Sequence, residues 1–248
     1  MTEADHLSVT QLKTYLRCPL QYFFSYVCDV KPPANGAMAL GRAVHSALEH
    51  NYRQKIQTGE DLPLGDLQDV FGSEWDRAAE DAFFEKGEKP GALKDQGAGL
   101  LDVYHREIAP TVQPVDVERR FLVHVPGVEL PLLRYIDLID DRGTIIDHKT
   151  SGRNYQQDAV DRDLQLTAYA LAYRTLFGQQ EDGLRMDVLV KTKQPKAQSL
   201  TTARTEHHIE RFARLAGQVE RAITAEVYYP NEGFLCNGCR YEDVCGEW

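Results

Sequence analysis

Apolar positions in the first part of the chain recur at helical spacing. Ser8-Val9-Thr10-Gln11 reads as a capping box, serine at the cap and glutamine three residues on, opening a short helix through Arg17. Pro19 can start the next helix, with Tyr22, Phe23 and Tyr26 on one side. After the loop KPPANG, residues 37–56 place Leu40, Val44, Ala47 and Leu48 on one helical stripe. Two more helical stretches, 64–85 and 92–109, are parted by EKGEKPG, whose Gly and Pro mark a loop. The period then changes. Residues 117–125 (VERRFLVHV), 130–140 and 144–149 are strand-like and separated by turn signals, Pro126-Gly127 and Asp141-Arg142-Gly143. Helix returns over 157–177, with Leu164, Ala168, Leu171 and Ala172 on one stripe, and 186–192 (MDVLVKT) reads as another strand. An amphipathic helix over 207–226 and a cysteine-bearing tail close the chain.

This order predicts a mixed α/β (α+β) fold around one central sheet. A length of 248 residues suits a single integrated domain, 1–248. Within it, 1–115 is a helical region, 116–200 the sheet core and 201–248 the last helix with the cysteines. No apolar run approaches the ~18 residues of a membrane helix, which excludes a spanning protein. The start, MTEADHLSVTQLK, has no secretory pattern, so a cytoplasmic protein with reduced thiols is expected. A net charge of −10 excludes a generic cationic nucleic-acid coat; any nucleic acid must meet a local basic patch.

Chemistry concentrates at the second and third predicted strands. Gly143 can supply the left-handed residue of a three-residue hairpin loop. Asp140 then pairs with Thr144, and Asp137 falls opposite Asp147. Opposed residues have Cβ atoms roughly 4.5–5.5 Å apart, where like charges destabilise a sheet. Lys149, two residues beyond Asp147, emerges on the same face. Alternation puts Ile136, Leu138 and Ile146 on the opposite face, and Tyr135, Ile139 and Ile145 with the carboxylates. Two acids on so apolar a face demand a cation, and oxygen ligands favour Mg²⁺ or Mn²⁺. The plainer alternative is a solvated face with Lys149 neutralising one aspartate. Gln165 and Tyr169, four apart on the following helix, can point together over the hairpin.

Cys236-x₂-Cys239-x₅-Cys245 puts three of the five cysteines close together, and Cys18 is the fourth candidate. Such a set requires the chain ends to meet. Zinc sites more often come as two local pairs, and Cys₄ ligation also suits a 4Fe–4S cluster. Cys28 has no partner by spacing and is expected to be a buried apolar residue.

Asp137, Asp147-x-Lys149 within IDHKTSG, and Gln165-x₃-Tyr169 together resemble the RecB-like branch of the PD-(D/E)XK nuclease superfamily. Gly41-Arg42-Ala43-Val44-His45 resembles the histidine motif of that branch, and LSVTQLKTYLRCPLQYFFSY its N-terminal segment. The resemblance implies a restriction-endonuclease-like sheet flanked by helices. It implies that His45, Asp137, Asp147 and the backbone carbonyl of His148 hold a divalent metal. Lys149 would orient or help activate the attacking water, and Gln165 and Tyr169 would position the substrate strand. The His148 side chain should face away. The family often has Gly three residues before the hairpin aspartate, where this chain has Arg134, expected to alternate away from Asp137. The cysteine pattern is similar to iron–sulfur members of the branch, AddB-type recombination nucleases and CRISPR-adaptation exonucleases. This implies a 4Fe–4S cluster on Cys18, Cys236, Cys239 and Cys245 that staples the termini.

Lys191, Lys193, Lys196 and Arg204 could follow a phosphate backbone, and Tyr155 and Tyr169 could stack on unpaired bases. The expectation is a Mg²⁺- or Mn²⁺-dependent DNA exonuclease preferring single strands or ends. Its protein partners would be those of recombination or CRISPR adaptation. Two alternatives stay open on the sequence, a catalytically idle DNA-binding subunit on the same fold and a zinc-stapled interaction protein.

Overall fold

Five strands lie side by side in chain order in the computed structural model, which describes residues 5–248. They are β1 (Pro114–Val123), β2 (Leu132–Asp140), β3 (Thr144–Ser151), β4 (Gly183–Val190) and β5 (Lys196–Thr202). β1, β2 and β3 form the antiparallel meander that the turn signals predict. β4 runs parallel to β3, so the chain must cross over between them, and does so through α6 (Gln157–Asp161) and α7 (Leu164–Phe177). The predicted single helix 157–177 is broken because Asp163 caps the second part, accepting from the N–H groups of Gln165 (2.7 Å) and Leu166 (3.0 Å). β5, antiparallel to β4, is absent from the expected elements. As an edge strand it buries neither face fully, so KAQSLTT carries no clean alternation.

The helices are α1 (Val9–Arg17), α2 (Pro19–Tyr22) continued by a π-helical turn at Phe23–Val27, α3 (Gly36–Thr58), α4 (Leu64–Glu80), α5 (Pro90–Glu107), α8 (Glu206–Thr224) and α9 (Glu242–Gly246). Half of the predicted capping box forms: Ser8 Oγ accepts from Gln11 N at 3.2 Å, but Gln11 Oε1 is buried without a partner. α1, α7 and α8 cover one sheet face, packing Leu12, Leu166 and Phe212 against Phe121, Ile139 and Ile145. α3, α4 and α5 cover the other, with Leu40, Tyr52, Phe71 and Leu100 against Leu138 and Ile146. A small third core, Leu20, Phe24 and Tyr241, joins the two ends of the chain. No helix among the described residues is long and apolar enough to cross a membrane.

Strict alternation breaks down in β1 at a register shift between Pro114 and Asp116 and again at Glu118. Glu118 has a φ of 51°, a left-handed conformation that costs a non-glycine residue roughly 1–2 kcal/mol. Around it the hairpin of β1 and β2 changes facing. Val117 and Leu138 join the core under α3, whereas Phe121 and Ile136 join the core under α7. Ile136 therefore does not share a core with Leu138, as alternation alone predicts. Arg134 is likewise corrected: its Nη1 donates to Thr10 Oγ1 of α1 at 3.0 Å, on the α7 side of the sheet.

Arg204 also departs from its expected place on a basic surface. It is 2% exposed and donates to Thr167 Oγ1, Thr202 Oγ1 and the carbonyls of Val160, Asp163 and Ala203. It ties the crossover to the end of β5. Hydrogen bonds to charged groups contribute about 1.5–3 kcal/mol each, and orphaned carbonyls add a penalty. Arg204→Gln should therefore lower stability by roughly 3 kcal/mol in urea titrations, and a surface-like effect below ~0.5 kcal/mol would contradict this reading.

Candidate active site

The hairpin between β2 and β3 sets the site. Gly143 takes a φ of 85°, and the buried Asp140 carboxylate accepts from the N–H groups of Arg142 (3.0 Å) and Thr144 (2.7 Å). That turn fixes the pairs Ile139–Ile145 and Leu138–Ile146, and the next position in this register sets Asp137 against Asp147. There the ladder stops. β3 continues alongside β4 to Ser151, and β2 continues alongside β1, so the sheet forks between β2 and β3. The N–H of His148 donates to the Asp137 carboxylate (Oδ2, 3.2 Å) in place of a strand carbonyl.

The fork lets helices from both layers reach the same carboxylate. From α3, His45 Nε2 lies 3.0 Å from Asp137 Oδ2. From α7, the Tyr169 hydroxyl donates to Asp137 Oδ1 at 2.9 Å. Gln165, one turn earlier, donates to Asp147 Oδ1 (2.9 Å) and to the Tyr169 hydroxyl (2.6 Å). Lys149 Nζ donates to Asp147 Oδ1 at 2.9 Å and lies 2.7 Å from Oδ2. All five catalytic candidates, Asp137, Asp147, Lys149, Gln165 and Tyr169, thus form one connected group with His45. The His148 side chain does face away, Nε2 lying 2.9 Å from the Tyr52 hydroxyl on α3, two turns beyond His45. Behind it Asp187 is fully buried, held by Arg185 (2.7 Å) and Ser199 (2.6 Å).

Glu118 completes the group and has no counterpart among the expected residues. Its Oε1 sits 3.6 Å from His45 Nδ1, and ligand atoms of His45, Glu118 and Asp137 all lie within 4.8 Å of one another. An acid in VERRFLVHV reads as an ordinary outward strand residue; the left-handed turn at its own Cα brings it inward. Two carboxylate oxygens here are buried without a well-formed hydrogen bond, Glu118 Oε1 and Asp147 Oδ2. Asp147 Oδ2 is ion-paired with Lys149 at 2.7 Å, whereas Glu118 Oε1 has only His45 Nδ1 at 3.6 Å, and a buried carboxylate oxygen left so poorly paired is costly and fits a cation.

Charge is distributed unequally. Burial pushes Asp137 up, but the hydrogen bond and charge of His45, with Lys149, outweigh it and hold the carboxyl below its usual range. Burial and the facing Asp137 charge raise Asp147 to about 6, against the pull of Lys149. Burial likewise raises Glu118 to about 7. Lys149 remains charged: burial alone would lower its pKa, but Asp147 and Asp137 raise it. His148 is pushed down to about 4 by burial and is neutral near pH 7.

Other expected positions fare differently. Tyr169 is fully buried, so its ring is not free to stack on a base, and Tyr155 is half-buried against the same core. Lys193 and Lys196 are exposed and Lys191 is half-buried. Cys28 is exposed, contrary to expectation, because the π-helical turn before it carries it past the third core. Cys18, Cys239 and Cys245 pack on that core. Burial raises the Cys245 thiol, and Cys18, Cys239 and Cys236 add to the shift. The chain ends are tied there by Asn231 Nδ2 donating to the Arg17 carbonyl (2.9 Å) and Leu20 N to that of Tyr229 (3.0 Å).

Among solved structures, a "Putative exonuclease" from Eubacterium rectale superposes with a TM-score of 0.63 at 15% identity, covering 96% of this chain and 88% of its own. SSO0001 covers 96% and 95% at 14% identity, with a TM-score of 0.39, too low to carry an argument. No curated protein matches significantly. A family model described as PD-(D/E)XK nuclease superfamily matches residues 6–246. The chain belongs to the PD-(D/E)XK nuclease superfamily.

Proposed function

We propose that the protein is a Mg²⁺- or Mn²⁺-dependent DNA exonuclease acting on single strands or ends, with a structural 4Fe–4S cluster. One observation carries the nuclease reading. Two buried aspartates, a histidine and a third carboxylate converge on a fork in the sheet, with a charged lysine beside them. In this reading His45, Glu118, Asp137 and Asp147, with the His148 carbonyl, would hold the divalent ion. Such an ion polarises a phosphoryl oxygen and acidifies bound water. Lys149 stays protonated, so it acts as a fixed cation facing the charge that develops on phosphorus and orients water. It does not take the proton. Gln165 and Tyr169 are proposed to position the two aspartates, since their polar atoms are used on Asp137 and Asp147. An idle subunit would have no use for this complete set. The preference for single strands or ends rests on the cations after β4, of which Lys193 and Lys196 are exposed, and on Tyr155, since Tyr169 is buried and cannot stack on a base. Recombination or CRISPR adaptation is the corresponding setting.

Asp147→Asn should abolish digestion of end-labelled DNA while the fold persists by circular dichroism. Wild-type rates in that variant would refute the site. A group with a raised folded pKa favours folding most at low pH and loses that contribution as pH rises through the folded value. Metal-free protein should therefore gain stability as pH falls from about 8 through the Glu118 transition near 7, and gain less below about 6.5, where the Asp147 contribution is opposed by the cost of keeping His148 neutral. Asp147→Asn should flatten part of this dependence in thermal melts. Mn²⁺ should raise the wild-type melting temperature, because it binds only the folded state. Glu118→Gln should weaken that stabilisation and raise the Mn²⁺ concentration needed for cleavage roughly tenfold or more; an unchanged Mn²⁺ requirement would remove Glu118 from the ligand set.

The four cysteines fit a cluster by donor chemistry, four thiols and no carboxylate or imidazole among them. Bound there, it would serve as a staple between the chain ends. Anaerobically purified protein should be brown, Cys18→Ala and Cys239→Ala should be colourless, and Cys28→Ala should keep its colour. Colourless wild-type protein with one equivalent of zinc would replace the cluster with zinc and leave the nuclease site as argued.

A further inference from the structure

We infer that Arg134 and Lys13 form a phosphate-binding element that grips the substrate strand beside the hydrolysed bond, along the exposed edge of α1. This rests on the nuclease reading and adds to it the side on which the strand lies.

Arg134 is placed by the facing change in β1 and β2. On strict alternation it would project towards α3; instead it reaches α1. Among the described residues its one hydrogen-bond partner is the Thr10 hydroxyl, and it forms no ion pair. A guanidinium has five N–H donors in a fork suited to phosphate oxygens, and a single neutral hydroxyl leaves most of them unused. Arg134 is half-buried, and its charge reaches both Glu118 and Tyr169, so it borders the fork.

Lys13 is one turn beyond Thr10 on α1. Its Nζ lies 2.9 Å from Asp163 Oδ2, and its side chain is 41% exposed. Asp163 is the cap of α7, two residues before Gln165, and the same carboxylate is acted on by Lys149. Lys13 therefore stands on the Asp147 side of the site and Arg134 on the Asp137 side. Thr10 lies between them. The chain carries a net charge of −10, so a cation without an acid partner beside a phosphodiester site, as Arg134 is, stands out against the background field, with Lys13 adding a half-exposed charge already paired to Asp163. Of the basic run after β4, Arg204 is buried in the fold, while Lys193 and Lys196 are exposed.

The test uses full-length protein and a fluorescein-labelled single-stranded oligonucleotide. Binding is measured by anisotropy in chelator over a range of salt, and cleavage by steady-state kinetics with Mn²⁺. Arg134→Gln and Lys13→Gln should each raise Kd and KM about tenfold and change kcat by less than about twofold. Each should also reduce the slope of log Kd against log salt by about 0.7, one phosphate contact on a single strand. Arg134→Lys should recover the slope, which a packing role would not require. Unchanged KM and slope in both Gln variants would overturn the inference. So would a fall in kcat alone, which would assign Arg134 to the field around Glu118. A melting temperature near that of wild type shows that the variants are folded; if Arg134→Gln is not, Lys13→Gln decides, and an unchanged KM and slope there overturn the inference. Failure of wild-type protein to cleave any DNA would sink the nuclease reading itself, whereas wild-type cleavage with indifferent variants sinks only this one.

Discussion

Asp137 and Asp147 face each other where water is largely excluded, and most of the surrounding architecture serves to hold them there. Two such carboxylates repel, and neither can be fully satisfied by neutral donors. The protein resolves this asymmetrically. Asp137 receives His45, Tyr169 and the His148 N–H, and keeps its charge. Asp147 has Gln165 on Oδ1 and Lys149 on both oxygens, is the more deeply buried of the two, and has its pKa raised. The repulsion is thus lessened by charging one carboxylate fully and raising the pKa of the other beside Lys149.

The fork explains how one carboxylate can answer to both layers of the fold. In a continuous sheet, side chains from α3 and α7 would be separated by the backbone of β2 and β3. Because the ladder ends after Leu138 and Ile146, His45 from one layer and Tyr169 from the other meet on Asp137. The kink at Glu118 belongs to the same device. It turns the free ends of β1 and β2 over, delivering Glu118 towards His45 and Arg134 towards α1. A left-handed glutamate is costly, and strain of this kind persists where the surroundings enforce it.

How much of this was legible in the sequence depended on how local the cause was. The hairpin register was legible because Asp141-Arg142-Gly143 fixes it within a few residues, and with it the meeting of Asp137, Asp147 and Lys149. The helix spacing of Gln165 and Tyr169 was legible for the same reason. Glu118, Ile136 and Arg134 were not, because no glycine or proline marks the kink that reverses them; alternation assumes a flat strand and has no means of signalling a φ of 51°. Arg204 looked like its lysine neighbours, since nothing local distinguishes a cation that five acceptors enclose from one in water. β5 was invisible because an edge strand needs no apolar face.

α1 links the two chemical centres of the molecule. Its first two turns meet Arg134 and Asp163 through Thr10 and Lys13, and its last residue is followed at once by Cys18, which also caps it. Cys18 accepts from Asn231 N at 3.4 Å, and Tyr15 donates to the Val227 carbonyl at 2.6 Å, so the helix is anchored to the C-terminal tail at that end. α1 has only nine residues and would not persist alone in water. Its position beside the fork is therefore set by what holds its two ends. The proposed staple would then have a direct physical route to the proposed site: loosening the cysteine end would free the helix that carries Thr10 and Lys13, leaving Asp137 and Asp147 untouched. The cysteines and the aspartates are separate in chemistry but share one rigid element, and that element forms one wall of the site.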